Sequence, residues 1–374
     1  MVLTPPQDYG LRGRWLAWRN GILSSPRFQK FALRFPLTRI VARRRARALF
    51  DLVAGFTYSQ ILAACVQTRL LDLLADGPMT TEAIAKRTDL PSDGARRLLR
   101  GAAALGLVEP IGDGWALGQH GAALLGNRGI ADMVAHHHLL YADLADPLAL
   151  LRRGGGGGQL SSQWHYAETA GHGDGDSVAA YSALMAASQP LVADQILTAY
   201  PMAKHRRLLD VGGGEGAFLT AVAARAPELE LALFDLPAVV ARARTRLDEA
   251  GLAGRVALVE GSFLHDPLPP EFDLITLVRV LHDHDDGPAL ALLRKVHSAL
   301  PSGGKLLIAE PMAKTRGAEA SGDAYFGFYL LAMGSGRPRS MDEIVALLRE
   351  AGFATARPIA TQMPLTVRMV IATR

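Results

Sequence analysis

The chain has 374 residues, enough for two domains and a shorter appendage. Hydrophobic residues make up 49% and charged residues 20%, a balance that excludes wholesale disorder and fibrous repeats. The net charge of +4 is unevenly distributed, because residues 1–50 hold eleven Lys and Arg against one acid, Asp8. That segment therefore carries +10, and the rest of the chain is acidic.

Residues 1–50 predict a basic amphipathic arm. Apolar side chains alternate there with Arg and Lys, and the aromatic ones include Trp15, Trp18, Phe28, Phe31 and Phe35. Such an arm can pack on the partner subunit of a dimer, lie on an anionic membrane surface through residues 10–45, or bind nucleic acid. The first two alternatives are favoured, and no nucleic acid is expected.

Cysteine content and apolar run length bear on the compartment. Cys65 has no partner for an internal disulfide and lies in an apolar stretch, so we expect a buried structural role. No uninterrupted run of about 18 apolar residues is present, and we expect neither a membrane-spanning helix nor a signal peptide. A cytoplasmic chain is predicted, and the arm raises the alternative of peripheral attachment to a membrane.

Residues 51–190 predict a helical domain that contains a winged helix. Apolar positions at helical spacing favour a helix over 51–75, ended by an Asp-Gly-Pro triplet. A helix-turn-helix follows, with a short first helix capped by Thr80 or Thr81 and a second helix over 92–105 capped by its first residue, Ser92.

Two short strands, 106–109 and 114–117, complete the predicted wing. A winged helix raises the possibility of DNA reading, and Arg96, Arg97 and Arg100 lie on its second helix. That helix is otherwise rich in Ala and Gly and lacks the polar side chains that read bases. A structural or dimerising role is therefore favoured.

The rest of this domain predicts two further helices. One covers 131–153 and ends in the run Gly154–Gly158, interpreted as a flexible loop, and the other covers 177–200. The three histidines at 136–138 point in different directions on a helix, so they cannot converge on a metal ion, and no metal site is predicted.

Residues 191–374 predict an α/β domain with a Rossmann-like, mostly parallel sheet of seven strands. Strands alternate with Ala-rich helices, and a hairpin near Met363 makes the last strand antiparallel to its neighbour. The predicted strands are 206–211, 230–235, 255–260, 272–280, 304–310, 354–360 and 365–373.

The turn after the first of these strands carries the cofactor signal. Its glycines, Gly212 and Gly214 among them, let a ligand approach the backbone, but their G-x-G-x-G spacing differs from that of dinucleotide sites. Asp210 before them and Glu215 among them would repel a pyrophosphate and would suit an ammonium and a sulfonium group. Asp235 ends the second strand, where a carboxylate accepts both ribose hydroxyls. Together these features indicate S-adenosylmethionine.

His282 follows the fourth strand and faces the predicted cofactor crevice. Its ordinary pKa near 6.5 suits a group that accepts a hydroxyl proton. Glu310 ends the fifth strand, where it can orient the imidazole and stabilise its protonated form.

Four stretches together resemble the O-methyltransferases of the caffeic acid and acetylserotonin type. They are DVGGGEG at 210–216, FDLP at 234–237, LHDHDD at 281–286 and GGKLLIAE at 303–310. The resemblance covers about 51–374 and implies a winged-helix dimerisation domain, a homodimer and a methyltransferase domain.

The same resemblance assigns roles to individual residues. It implies that His282 is the base and Glu310 its partner. The cofactor contacts that we predict are Asp210, Gly212, Gly214, Asp235, Leu236, Ser262, Phe263 and Arg279. Plant relatives have an aspartate in place of Ser262, and the family's second orienting glutamate falls at Pro338.

A narrower resemblance names the substrate. Residues 24–39, 48–60, 137–152 and 181–189 are similar to carotenoid 1-hydroxyl O-methyltransferases, of the hydroxyneurosporene or demethylspheroidene type, from purple photosynthetic bacteria. It implies methyl transfer to a tertiary hydroxyl of a carotenoid and contact with the inner or photosynthetic membrane. Candidates for the apolar substrate wall are Tyr181, Met185, Tyr325, Phe326, Tyr329 and Met333.

Three alternatives stay open at this level. A related methyltransferase could act on a bacteriochlorophyll precursor or a small aromatic hydroxyl. A winged-helix DNA-binding regulator is a second, and a relative that has lost methyl transfer is a third. The retained His282 and Glu310 argue against the last.

Overall fold

The computed structural model describes residues 10–162 and 188–374. Contacts group the chain into two compact units, Met1–Ala122 and Ala123–Arg374. The helices of the first unit are Gly10–Ser24, Pro26–Arg34, Pro36–Gln67, Leu70–Leu73, Thr81–Thr88, Ser92–Ala104 and Gln119–Leu125, the last of which crosses the division.

The arm and the helical domain share one long helix. The helix predicted over 51–75 exists, but it begins at Pro36 and ends at Gln67, so it crosses the predicted end of the arm at residue 50. Proline has no N–H to leave unpaired in a first turn, which favours this start. Cys65 is buried as predicted, and burial raises its pKa to about 12.

That helix also bears on the membrane prediction. By length and composition alone it could cross a membrane, and only 11% of its most apolar 18-residue window is buried. Core helices of soluble proteins and signal sequences pass the same test, so this helix does not by itself establish a membrane span. The sequence criterion of an uninterrupted apolar run did not find it, because Asp51 and several polar residues break the run.

The winged helix is present with small changes in its bounds. Strands β1 (Met79–Thr80), β3 (Gly114–Leu117) and β2 (Val108–Ile111) form an antiparallel sheet in that order. The Thr80 hydroxyl accepts the Ala83 N–H and caps the first helix as predicted. Ser92 is not the cap of the second helix, since Pro91 occupies that position and makes no side-chain capping bond.

The single helix predicted over 131–153 is wrong. Two helices, Arg128–Asp143 and Pro147–Arg152, replace it, because proline cannot continue a helix and Asp146 caps the second one by accepting the Ala149 N–H at 3.0 Å. The run Gly154–Gly158 is packed rather than free. The Gly156 N–H donates to the Leu331 carbonyl at 2.9 Å, and a Cβ at Gly155 would lie 2.5 Å from the same oxygen.

Within the described residues, seven strands form the sheet of the second unit. They are β4 (Arg207–Val211), β5 (Glu230–Asp235), β6 (Val256–Glu260), β7 (Leu274–Val278), β8 (Lys305–Glu310), β9 (Thr355–Ile359) and β10 (Arg368–Thr373). Their order is β6-β5-β4-β7-β8-β10-β9, and β10 is antiparallel to both neighbours. The prediction of seven strands with an antiparallel last strand is confirmed.

Helices cover both faces of this sheet. They include Ala217–Arg225, Pro237–Glu249, Asp286–Ala299 and Met341–Glu350, together with the helical residues 188–199. The helix Gly327–Met333 packs instead against Arg128–Asp143 and Pro147–Arg152. Successive strand residues enter opposite cores, Leu208 and Leu274 on one side and Leu209 and Ile275 on the other. The strand order reverses between β4 and β7, and ligands of such sheets bind at the carboxyl ends beside that point.

Candidate active site

Asp210 near the end of β4 provides a buried acceptor beside the glycine turn. One carboxylate oxygen accepts the Thr276 hydroxyl at 2.6 Å. The other, Oδ2, is buried and has no hydrogen-bond partner among the described residues. Burial raises the pKa of Asp210 to about 7, and nearby Asp235 adds to the effect. A buried acceptor without a partner is typical of a ligand site.

The turn itself leaves room for a ligand. Gly212 and Gly214 have φ of +70° and +58°, which side chains rarely adopt. A Cβ at Gly212 would lie 2.8 Å from Val280, whereas one at Gly214 would meet nothing within 4 Å. The glycine backbone is therefore open to a neighbouring group at Gly214.

Asp235 at the end of β5 is held by the main chain. Its carboxylate accepts the Gly214 N–H and the Leu236 N–H, each at 2.8 Å. Burial raises its pKa to about 6 despite these two bonds. Each oxygen keeps a free lone pair, so the fixed carboxylate can accept two ribose hydroxyls. Asp210, the open glycine turn and Asp235 together fit the cationic nucleoside that the sequence predicts.

Among the remaining predicted cofactor contacts, Phe263 lies beside this turn. Phe263 Cε1 is 3.7 Å from the Cβ position of Gly212, and its ring meets His284 edge to face at 5.2 Å between centroids. Ser262 donates its N–H to Asp266 at 2.7 Å. Arg279 has φ of +60°, and its guanidinium donates to the Ser188 hydroxyl at 2.8 Å.

His282 is buried at the carboxyl end of β7, in a short turn over Leu281–Asp283. Glu310 contacts it through the main chain, since Oε2 accepts the His282 N–H at 3.1 Å. The carboxylate beside the ring is Asp283, whose Oδ1 lies 3.2 Å from Nε2. No sequence pattern singles out Asp283, although it directly follows His282 in the chain.

The electrostatics of His282 suit a proton acceptor. Burial lowers its pKa, but the Asp283 and Glu310 carboxylates outweigh burial and leave the pKa raised. The pKa of Glu310 is also raised, because burial outweighs the attraction of His282 and Arg339. The imidazole Nδ1 and Glu310 Oε1 have no hydrogen-bond partner among the described residues.

A row of aromatic rings begins beside His282, within the second unit. Phe326 stacks on the imidazole with centroids 6.0 Å apart, and Tyr325 meets Phe326 edge to face at 5.0 Å. The Tyr325 hydroxyl pairs with His137 Nε2 at 2.7 Å, a contact that the sequence did not indicate. Phe326 ends a π-helix, Ala320–Phe326, a rare element that is frequent at functional sites.

The other predicted wall residues divide into two groups. Tyr329 and Met333 are buried in an apolar cluster with Leu139 and Leu150, and the Tyr329 hydroxyl has no partner among the described residues. Tyr181 and Met185 lie outside the described residues. The described residues also contain no cluster of metal-ligating side chains.

Comparison with known proteins identifies the family. Residues 141–354 match the model of the O-methyltransferase domain, and residues 50–126 match that of the O-methyltransferase dimerisation domain. The chain belongs to the O-methyltransferase family. The predicted S-adenosylmethionine cofactor and dimerisation domain are thereby confirmed.

Individual O-methyltransferases match over most of their length. A demethylspheroidene O-methyltransferase of Cereibacter sphaeroides is 45% identical, covering 100% of this chain and 98% of the relative. An acetylserotonin O-methyltransferase of Mus musculus is 32% identical, over 84% of this chain and 85% of its own. The solved mitomycin 7-O-methyltransferase MmcR has a TM-score of 0.74 at 26% identity, covering 90% of this chain and 99% of that one. Both predicted resemblances are confirmed.

Proposed function

We propose that this O-methyltransferase methylates the tertiary 1-hydroxyl of an acyclic carotenoid of the demethylspheroidene or hydroxyneurosporene type. The observation that carries the proposal is the 45% identity, over the whole chain, to a protein named for demethylspheroidene. The partly buried aromatic residues beside His282 support it, since an apolar wall suits a polyene.

The residues at the carboxyl ends of β4 and β5 would hold the cofactor. Asp235 would accept the ribose hydroxyls, and the open backbone at Gly214 would admit the nucleoside. The buried Asp210 Oδ2 would face the positive part of the molecule. S-adenosylmethionine supplies a methyl group on a sulfonium centre, so the protein needs to supply chiefly alignment and a proton acceptor.

His282 is the proposed base. It accepts the proton of the substrate hydroxyl while the oxygen attacks the methyl carbon, a role worth about 10²- to 10⁴-fold in rate. The Asp283 carboxylate beside the ring and the Glu310 carboxylate, which accepts the His282 main-chain N–H, stabilise the imidazolium that results. The substrate needs no charge of its own, because removal of its proton by His282 gives the oxygen the negative charge with which it attacks the methyl carbon.

The acceptor side is formed by Phe326 and by the predicted wall residues Tyr325, Tyr329 and Met333. Phe326 stacks on the proposed base, which supports a substrate wall beside the reacting hydroxyl. The predicted roles of Tyr181 and Met185 remain part of this proposal.

A product assay tests the substrate. The purified protein is incubated with methyl-labelled S-adenosylmethionine and a panel containing 1-hydroxy carotenoids, a bacteriochlorophyll precursor and small phenols, and products are identified by mass spectrometry. We expect label on the 1-methoxy carotenoid with the highest kcat/KM. Label on another acceptor alone would establish the alternative substrate class.

We also propose that residues 10–45 contact an anionic lipid surface. From Gly10 to Phe50 the chain holds eleven basic residues and no acid, and Trp15 and Trp18 are 54% and 64% exposed. The Arg19 guanidinium lies 5.1 Å from the Trp15 ring centroid, so cationic and aromatic groups share one surface. That combination suits lipid headgroups, and contact with a bilayer would give access to an apolar substrate.

Vesicle sedimentation tests the lipid contact. We expect binding to phosphatidylglycerol vesicles, weak binding to phosphatidylcholine, release in high salt, and loss in a Trp15→Ser/Trp18→Ser/Arg19→Gln variant. The matched control, Arg96→Gln/Arg97→Gln/Arg100→Gln on the winged helix, is expected to bind normally. Absence of vesicle binding, or tighter binding to random duplex DNA at physiological salt, would contradict the proposal.

A further inference from the structure

Arg339 is a fully buried arginine beneath the turn that carries His282. It is 0% exposed, and an ionised guanidinium is costly to bury unless its donors are all paired. Nη1 donates to the Leu281 carbonyl at 2.9 Å and Nη2 to the His284 carbonyl at 2.7 Å. Nε donates to Asp286 Oδ1 at 2.9 Å. Each of its three nitrogens thus has a hydrogen-bond partner within residues 281–286.

These acceptors lie on both sides of His282. Leu281 precedes it and His284 follows two residues later, so one rigid, planar group fixes the main chain on either side of the imidazole. Gly336 packs closely on the same turn, since a Cβ there would lie 2.2 Å from the His282 carbonyl oxygen. The backbone of His282 therefore has little freedom to move.

The contacts that hold this turn bear on a position where the chain departs from the family pattern. The resemblance to the family implies a second orienting glutamate at the position of Pro338, and proline offers no side-chain hydrogen bond. Glu310 contacts His282 through its main-chain N–H rather than through the ring. The orientation of the imidazole then depends on how the turn over residues 281–286 is held.

We propose that Arg339 is a positioning residue for His282, acting through the carbonyls of Leu281 and His284. The inference rests on the proposed role of His282 as base. Lysine has one donor group in place of the planar fork and cannot reach both carbonyls and Asp286 in the same geometry.

Arg337 provides a matched control. It pairs with the same carboxylate, with Nη2 3.1 Å from Asp286 Oδ2, but its side chain is 44% exposed and its other partner is Glu343. Removing its guanidinium takes one cation from Asp286 without touching either carbonyl. A comparison of the two arginines therefore separates the fork under the turn from the charge on Asp286.

The test measures kcat, KM, cofactor Kd by calorimetry and melting temperature for Arg339→Gln, Arg339→Lys and Arg337→Gln. We expect kcat to fall about 10- to 100-fold in Arg339→Gln and to recover only partly in Arg339→Lys, with cofactor Kd nearly unchanged. Arg337→Gln is expected to stay within about twofold of the parent. Equal kcat in the two glutamine variants, or losses of affinity and melting temperature in step with kcat, would overturn the inference.

Two further variants keep the result interpretable. Asp286→Asn leaves Arg339 in place and changes a side chain that is 56% exposed, so it remains available if the Arg339 variants do not fold. It is expected to lower kcat in the same direction by a smaller factor, and an unchanged kcat would count against the inference. Undiminished turnover in His282→Ala would instead reject the proposed base itself.

Discussion

The amino and carboxyl ends of the strands form two edges of the seven-stranded sheet. The two edges carry similar polar residues, which differ in whether they have hydrogen-bond partners. At the amino edge, before β7, Asp273 accepts the Arg207 N–H at 2.7 Å and pairs with His205 Nδ1 at 2.9 Å. His205 Nε2 meets the Tyr200 hydroxyl at 2.8 Å. At the carboxyl edge, His282 Nδ1, Glu310 Oε1 and Asp210 Oδ2 are buried without partners among the described residues.

The difference shows what separates a structural constellation from a functional one. Tyr, His and Asp at the amino edge are residue types that also occur in catalytic triads, but each polar group has a partner and nothing is left to bind a ligand. The carboxyl edge instead retains unsatisfied buried groups, a state that is costly unless a ligand relieves it. Pairing, rather than residue type, distinguishes the two edges.

The largest expected difference in kcat is between alanine variants of the two histidines, one at each edge. His282→Ala is expected to lower kcat about 10³-fold, since general-base catalysis is lost. His205→Ala should leave kcat within about threefold and lower the melting temperature. Turnover with labelled cofactor and thermal unfolding measure both, and a larger kcat loss in His205→Ala would erase the proposed distinction between the edges.

The next effect contrasts two aspartates. Asp235→Asn is expected to weaken cofactor binding about 30-fold in calorimetry, because a charged acceptor for the ribose hydroxyls is lost. Asp273→Asn should leave that Kd unchanged and lower the free energy of unfolding by about 2 kcal/mol.

The stability that Asp273 contributes also has a pH signature. The neighbouring N–H groups and His205 outweigh partial burial and hold the pKa of Asp273 below its ordinary range. Its contribution is therefore present above the unfolded-state pKa and is lost as pH falls through the lower folded-state pKa. Acid unfolding of Asp273→Asn should lack this component, and an identical acid transition in both proteins would contradict the assignment.

The smallest expected effect is a shift in the pH profile. The raised pKa of His282 places the acid limb of kcat above its ordinary value of 6.5, because the base acts only when neutral. Asp283→Asn removes the carboxylate 3.2 Å from Nε2 and should move that limb to lower pH. Profiles of kcat from pH 5 to 9 measure the shift, and a limb displaced upward would show that another group titrates.

Sequence patterns predicted most of the sheet and the cofactor turn because those signals are local. Buried parallel strands are short apolar runs, and the glycines of the turn must follow β4 directly in the chain. The prediction failed at 131–153, where Pro147 begins a separate helix within the stretch predicted as one.

The sequence by itself determined the α/β class, the order of the strands along the chain and the residue types at the carboxyl edge. Only the tertiary structure decided which groups meet. His137 and Tyr325 are 188 residues apart, and Arg339 reaches Leu281 across 58 residues. Such contacts depend on how helices and turns pack, and a buried arginine has no distinguishing mark in sequence until its acceptors are placed around it.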